Sequence, residues 1–222
     1  MKRLSTRQVF LAACGLSTVV SLGALGEVAM GQAVPKTGGC VDKVSELHLG
    51  LGIDAVDARL QGPSLIVVHK AKRHIQRFHK GVALKLDHDQ PACWRVGLGP
   101  SPEGHKYRRG DGRTPEGWYR TSDKPWSQFY GAIAIHYPNA RDAQAGRVQG
   151  RIPMREEREM RAALTKDKKP LQSTALGGEI LIHGQGSLTD WTLGCVAMDN
   201  ADLDALRRTL PRSMRTDVLV LP

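Results

Sequence analysis

From Ser64 onward the chain breaks into short apolar runs separated by polar turns: SLIVVHK (64–70), HIQRFHK (74–80), VALKLDH (82–88) and CWRVGLG (93–99). Apolar and polar positions alternate across 74–78 and 82–86, with AKR and KG as turns between runs. A period of two suits half-buried strands, so this stretch is predicted to be a β-meander. Residues 99–120, GPSPEGHKYRRGDGRTPEGWYR, are dense in Gly and Pro and predict a long loop, with one short strand over 117–121. GAIAIHYP (131–138) is an apolar run closed by Pro138 and reads as a buried strand with His136 near its end.

The period changes further along. Residues 139–178 form an insertion in which MREEREMRAAL (154–164), with Pro153 before it, predicts a helix. Its charges Arg155, Glu156, Glu157, Arg158, Glu159 and Arg161 predict a solvated face, with a lid beside the site as the alternative. EILIHG (179–184) is a strand ending in a glycine turn, MDNADLDALRRTLP (198–211) is a capped helix with acids early and Arg207 and Arg208 late, and DVLVLP (217–222) is a closing strand. Residues 34–63 read as a linker with a marginal helix near Val44 to Leu49 and no second core. The fold class is therefore mostly β with a few helices (α+β), without the βαβ alternation of a doubly wound sheet or a repeat of solenoid length.

Composition changes the picture in three places. Aromatic residues are only 5% of the chain against 41% hydrophobic, so the core must lean on Val, Ile, Leu and Ala. Lys2, Arg3 and Arg7 precede an uncharged run from Val9 to Leu25, with Gly31 and Ala33 shortly after, the layout of a secretory signal peptide over residues 1–33. An uncleaved anchor and lipoprotein processing at LAAC (11–14) are the alternatives, and the apolar run is at the short limit for a stable membrane span. Removing residues 1–33 takes away three basic side chains and one acidic one, lowering the net charge from +10 to +8. Export turns this basicity away from nucleic acid and towards the anionic polymers of a periplasm or cell envelope.

Cysteines supply the first chemical clue. The chain beyond the leader holds Cys40, Cys93 and Cys195, an odd number for an oxidising compartment. A Cys40–Cys93 disulfide would close a loop of about 53 residues and stabilise by roughly 4 kcal/mol, leaving Cys195 as the free thiol. The alternative has Cys195 bonded and another cysteine spare.

HGQGSLTDWTLGC (183–195) places His183 at a strand end and Cys195 before a helix, joined by a glycine-rich loop. A histidine that takes the thiol proton makes cysteine a nucleophile. The N–H groups of Leu193, Gly194 and Cys195 are candidates for an oxyanion hole, and the following helix dipole favours a thiolate. A zinc site from His136, His183 and Cys195 is the competing reading, without CxxC or HExxH spacing to support it. Neither GxGxxG after a strand nor GxxxxGK[ST] is present, which argues against a nucleotide cofactor.

The ordered set SLIVVHKAKRHIQRF, PEGHKYRRGDGRTPEGWY, YGAIAIHYPNARD, ILIHG and DWTLGCVAMDNADLDAL, from about Ser64 to Leu221, resembles the L,D-transpeptidase catalytic domain family, the YkuD-like enzymes of peptidoglycan. The resemblance implies a β-sandwich or barrel catalytic domain over 64–222. It implies a Cys195 acyl-enzyme with His183 as base, its second ring nitrogen held by the Gly184 carbonyl, and no cofactor. Peptidoglycan stem peptides are the implied partner, with an amine acceptor giving a cross-link and water giving hydrolysis. Most members read Ser/Thr-His-Gly-Cys-Ile/Val-Arg, whereas this chain has Thr192-Leu193-Gly194-Cys195-Val196-Ala197 and so lacks a second histidine and a carboxylate-binding arginine. Asp190 and Trp191 stand in that loop, and the IHYPN and DWTxGC pattern resembles a branch that includes enzymes releasing a peptidoglycan-linked lipoprotein. His136, Tyr137, Asp190 and Trp191 are therefore candidate substrate-binding residues, while Arg108, Arg109 and Arg113 are expected to be solvated unless they meet acidic stems. A wall-binding protein without catalysis is the alternative of a different class.

Overall fold

The computed structural model describes residues 39–49 and 52–222. The expected leader and Cys14 lie outside the described residues. The meander is present: β1 (Leu65–His69) pairs antiparallel with β2 (His74–His79), and β2 with β3 (Val82–Ala83) and β4 (Cys93–Arg95). The turn between β2 and β3 has Lys80 and Gly81 both at positive φ, 50° and 76°, the backbone a tight two-residue hairpin needs. The expected strands over 82–86 and 93–99 are cut to two and three residues, and beyond them the runs pair only as isolated bridges, Lys85 with Pro91 and Gly97 with Ala197.

The remaining strands are β5 (Gly117–Asp123), β6 (Ile133–Ile135), β7 (Leu181–His183), β8 (Val196–Ala197) and β9 (Asp217–Leu221). Strand order is β3-β2-β1-β9-β5-β6-β7-β8, and β4 shares with β3 the edge of β2 that faces away from β1. The last strand thus lies in the middle, parallel to β1 from Leu65↔Asp217 to His69↔Leu221 and antiparallel to β5. Gly97 and Ala197 exchange two backbone hydrogen bonds of 2.9 and 2.8 Å, tying β8 to the chain just past β4 so that the sheet curls towards its own start. This mixed, curled sheet with three helices is the expected α+β architecture.

Both faces of the central strands are covered. Ile66, Val68, Val218 and Val220 point into the main core with Ile133, Ile182 and Val196. Leu65, Val67, Leu219 and Leu221 point the other way, against Val44 and Leu60. Burial on both faces explains why LIVVH and VLVL are continuous apolar runs. The expected linker is therefore corrected in one respect: its described part caps the second face. Its helix is a 3-10 turn, Val44–Glu46, with another at Ala58–Gln61, since so short a segment gains too few bonds to nucleate an α-helix.

The insertion holds α1 (Ala140–Val148) and the expected α2 (Met154–Thr165). Asn139 and Asp142 make a capping box at the start of α1. The face of α2 is not wholly solvated: Glu157 is buried where α2 meets α1 and is paired with Arg147 and, at 3.2 Å, with Arg161. The third helix, α3 (Asn200–Arg208), packs Leu203 and Leu206 into the core. Its Arg207 bonds Asp123 Oδ1 at 3.0 Å and the Gly131 carbonyl at 2.8 Å, clamping β5 and the approach to β6. Cys40 and Cys93 form a disulfide and Cys195 is free. No helix among the described residues is long and apolar enough to cross a membrane.

Candidate active site

His183 ends β7 and Cys195 immediately precedes β8, and these strands run parallel with His183 opposite Ala197. The pairing brings the two ends of the 184–194 loop side by side. Four side chains hold that loop. Asn200 Oδ1 accepts from Gln185 N at 2.8 Å, and Asp199 Oδ1 accepts from Ser187 N at 3.0 Å. Asp190 pairs with Arg73 at 2.7 Å and accepts from Leu98 N at 2.8 Å. Gly194 needs to be glycine: its φ is +119°, and a Cβ would lie 2.4 Å from the Arg113 carbonyl oxygen. The GDGRTPEGWY loop is thus pressed against the residue before the thiol.

The imidazole of His183 is buried, and its Nδ1 lies 2.7 Å from the Gly184 carbonyl oxygen. A carbonyl only accepts, so Nδ1 carries the proton and Nε2 is left with its lone pair, the form a general base requires. Phe129 stacks on the ring at 4.4 Å and Trp191 meets it edge-on at 5.5 Å. Burial pushes the His183 pKa down, opposed by the Gly184 hydrogen bond. Burial pushes the Cys195 thiol up to about 11, offset only in part by the Leu181 N–H. The thiol donates to the Glu179 carbonyl at 3.5 Å. Both shifts favour the neutral thiol and imidazole over a thiolate and imidazolium. Strand β8, Met198 and the cap residue Asp199 separate Cys195 from the first residue of α3 along the chain.

Cys195, His183, Trp191, Phe129, Lys106 and Arg109 line one cavity of about 910 Å³, which the insertion's tail, Gln172 to Gly178, helps to wall together with Glu179 and Ile180. Helix α2 does not reach it, so the insertion supplies a wall and not a helical lid. Lys106 is buried and paired with Asp111 at 2.7 Å; Arg109, expected to be solvated, is exposed yet lines the cavity and donates to the Thr174 carbonyl at 3.2 Å. Of the expected oxyanion donors, Gly194 N–H is engaged by Thr192 Oγ1 at 3.1 Å, so the Leu193 and Cys195 N–H groups remain as candidates.

Three expected substrate-binding residues are not brought to the cavity. His136 is 1% exposed, with Nε2 2.9 Å from Ser122 Oγ, because it continues β6 into the core. Tyr137 is buried too, its hydroxyl donating to the Leu176 carbonyl at 3.2 Å. Asp190 is turned away to Arg73 and Leu98 N. His136 therefore cannot join His183 and Cys195 as a zinc ligand, and the only three-residue donor cluster among the described residues lies elsewhere, at Cys40, His74 and Cys93. Trp191 is at the cavity as expected. Phe129, Lys106 and Glu179 were missed: Phe129 and Lys106 are far from the motif in sequence and reach it only through sheet pairing or loop return, while Glu179, four residues before His183, carries no signal of its own.

Comparison with known proteins follows the same line. The profile of the YkuD family, the L,D-transpeptidase catalytic domain, matches residues 63–220. YafK of Escherichia coli (strain K12) is 37% identical over 89 residues, 38% of this chain and 34% of that relative, so the match spans about a third of its length. Among solved structures, the helical cell shape determining protein Pgp2 from Campylobacter jejuni is 22% identical, covering 71% of this chain and 46% of that one with a TM-score of 0.45. Bd1075 of Bdellovibrio bacteriovorus is 21% identical, covering 72% of this chain and 48% of that one with a TM-score of 0.40. The assignment rests on the profile, which spans most of the sequence: the chain belongs to the YkuD family of L,D-transpeptidase catalytic domains.

Proposed function

We propose that this protein is an exported cysteine L,D-transpeptidase that acts on peptidoglycan stem peptides in the periplasm or cell envelope, in cell-wall cross-linking or remodelling. The observation that carries the reading is the shared cavity of Cys195 and His183, with His183 Nδ1 pinned to the Gly184 carbonyl and Nε2 left as base. The Cys40–Cys93 disulfide supports an oxidising compartment.

In this mechanism a stem peptide enters with its acidic groups towards Lys106 and Arg109 and the carbonyl of its L-to-D bond over Cys195. His183 Nε2 takes the thiol proton as Sγ attacks that carbonyl, and the Leu193 and Cys195 N–H groups receive the oxyanion. The tetrahedral intermediate collapses, His183 returns the proton to the departing D-residue amine, and a thioester remains. An acceptor amine then attacks the thioester, giving its proton to His183; the new amide forms and the thiol is regenerated. Because burial favours the neutral forms of both groups, the proton moves once substrate is bound.

Intact-mass and product analysis of the protein with purified disaccharide-peptides tests the reading. An adduct on Cys195 together with dimeric muropeptides is expected. An adduct with shortened stems or released lipoprotein would make it a hydrolase of the same fold. No adduct and no product, from a chain whose thiol is free, would leave a wall-binding protein.

A further inference from the structure

Outside the cavity of Cys195, His74 on β2 lies beside the Cys40–Cys93 disulfide. His74 is 1% exposed, and its Nδ1 has no hydrogen-bond partner among the described residues. One donor atom from each of Cys40, His74 and Cys93 lies within 4.8 Å of the other two. Sheet pairing sets this up: Cys93 is opposite Gln76 and His74 is opposite Arg95. The chain at Cys40 is pressed on the imidazole edge, since a Cβ on Gly39 would lie 3.3 Å from His74 Cε1 and 3.6 Å from Nδ1.

The segment bearing Cys40 is held by more than its disulfide. Gln76 takes both polar atoms of Val41, accepting from its N at 3.2 Å and donating to its O at 2.6 Å. Val44 N bonds the Gly81 carbonyl at 2.9 Å, and Val44 is buried in the second core. Opening the sulfur–sulfur bond would leave the two thiols and the imidazole gathered.

We propose that the reduced chain binds a thiophilic divalent cation, zinc above all, through Cys40 Sγ, Cys93 Sγ and His74 Nδ1. A dithiol or phosphine reductant supplies the two electrons that convert the disulfide to two thiols. The cation then displaces one proton from each thiol, giving two thiolates and one neutral imidazole around M²⁺ with no net charge. Two sulfurs and one nitrogen form a set that zinc accepts, with water in the fourth place. The cation takes over the disulfide's task of fastening residues 39–49 to β2 and β4. Nothing in this site depends on the proposed reaction at Cys195.

The test uses the full chain with Cys14→Ser and Cys195→Ser, so that Cys40 and Cys93 are its only thiols. It is reduced with a phosphine that does not hold the metal and titrated with cobalt(II). The expected result is one cobalt per chain with a thiolate-to-cobalt charge-transfer band, displaced by zinc and absent from the oxidised chain. His74→Ala should weaken binding by more than the roughly 10- to 100-fold that loss of an outer partner alone costs. His74→Cys should intensify the band by adding a third thiolate, and it carries the test if the alanine variant fails to fold. Absence of the band in the reduced chain, or an unchanged band in His74→Cys, would overturn the site.

Discussion

Residues 135–139 (IHYPN) and 190–195 (DWTLGC) each set a polar side chain beside an aromatic one next to a strand, and the fold uses them in opposite ways. His136 and Tyr137 are each 1% exposed, whereas Trp191 is 42% exposed and lines the cavity. The first segment leaves β6, which has β5 and β7 on either side, and runs straight into α1. The second belongs to a loop that ends at β8, the last strand in the order, and is fastened from outside by Arg73 through Asp190. An aromatic at a central strand end is packed from all sides; one on a tethered loop keeps a free face. Tyr137 still serves the site from behind, since its hydroxyl reaches the carbonyls of both Leu176 and Lys106, in the two chain stretches that wall the cavity.

The comparison breaks first at its catalytic end. Cys195→Ala and His183→Ala should each cut turnover on the order of 10⁴-fold or more, the first while leaving the unfolding midpoint nearly in place; product formation by the alanine variant of Cys195 would end the acyl-enzyme reading. Gly194→Ala should cost roughly 10²-fold in kcat, because a Cβ 2.4 Å from the Arg113 carbonyl displaces the adjacent thiol.

The inner segment answers to acid. Burial holds His136 down to about 4, against an ordinary 6.5 in the unfolded chain. Above pH 6.5 the group is neutral in both states and its contribution is complete. Between 6.5 and about 4 the unfolded chain takes up the proton that the folded chain refuses, and stability falls. His136→Gln should remove on the order of 3 kcal/mol of that acid loss, read as a flatter denaturant midpoint against pH; an unchanged slope would place the titration elsewhere. His74, also held to about 4 by burial, keeps its own share of the slope.

Asp190→Ala should destabilise by about 2 kcal/mol, since Leu98 N–H and Arg73 lose their acceptor. Trp191→Ala beside it should raise KM and change stability by about 1 kcal/mol at most. If urea midpoints show the reverse ranking, the loop's tether and its working face have been exchanged. The smallest effect belongs to Tyr137→Phe, about 1 kcal/mol for one lost hydroxyl bond, with kcat/KM close to that of the parent chain.

Much of this architecture was legible in order of residues. Period-two alternation marked β2, short apolar runs closed by turn residues marked β1, β6, β7 and β9, the end of the Gly- and Pro-rich loop marked β5, and Pro153 and the charge gradient of 198–211 marked α2 and α3. Helix α1 was hidden because ARDAQAGRV has almost no apolar stripe; its signal was the Asn139 and Asp142 capping box. Strand β8 is two residues long and exists only because β7 and Gly97 lie on either side of it.

By itself, the sequence pointed to Cys195 and His183 as the candidate nucleophile and base, through the resemblance its ordered motifs carry and the glycine beside each residue. It also determined which runs are strands, because side-chain periodicity acts between neighbours in the chain. Only the tertiary structure decided that the final strand enters the middle of the sheet beside β1, that Phe129 closes over His183, and that Lys106 and Arg109 stand in the cavity while His136 and Asp190 do not. Those outcomes come from pairing and burial between residues far apart in the chain, where the direction a side chain takes is set by what packs behind it.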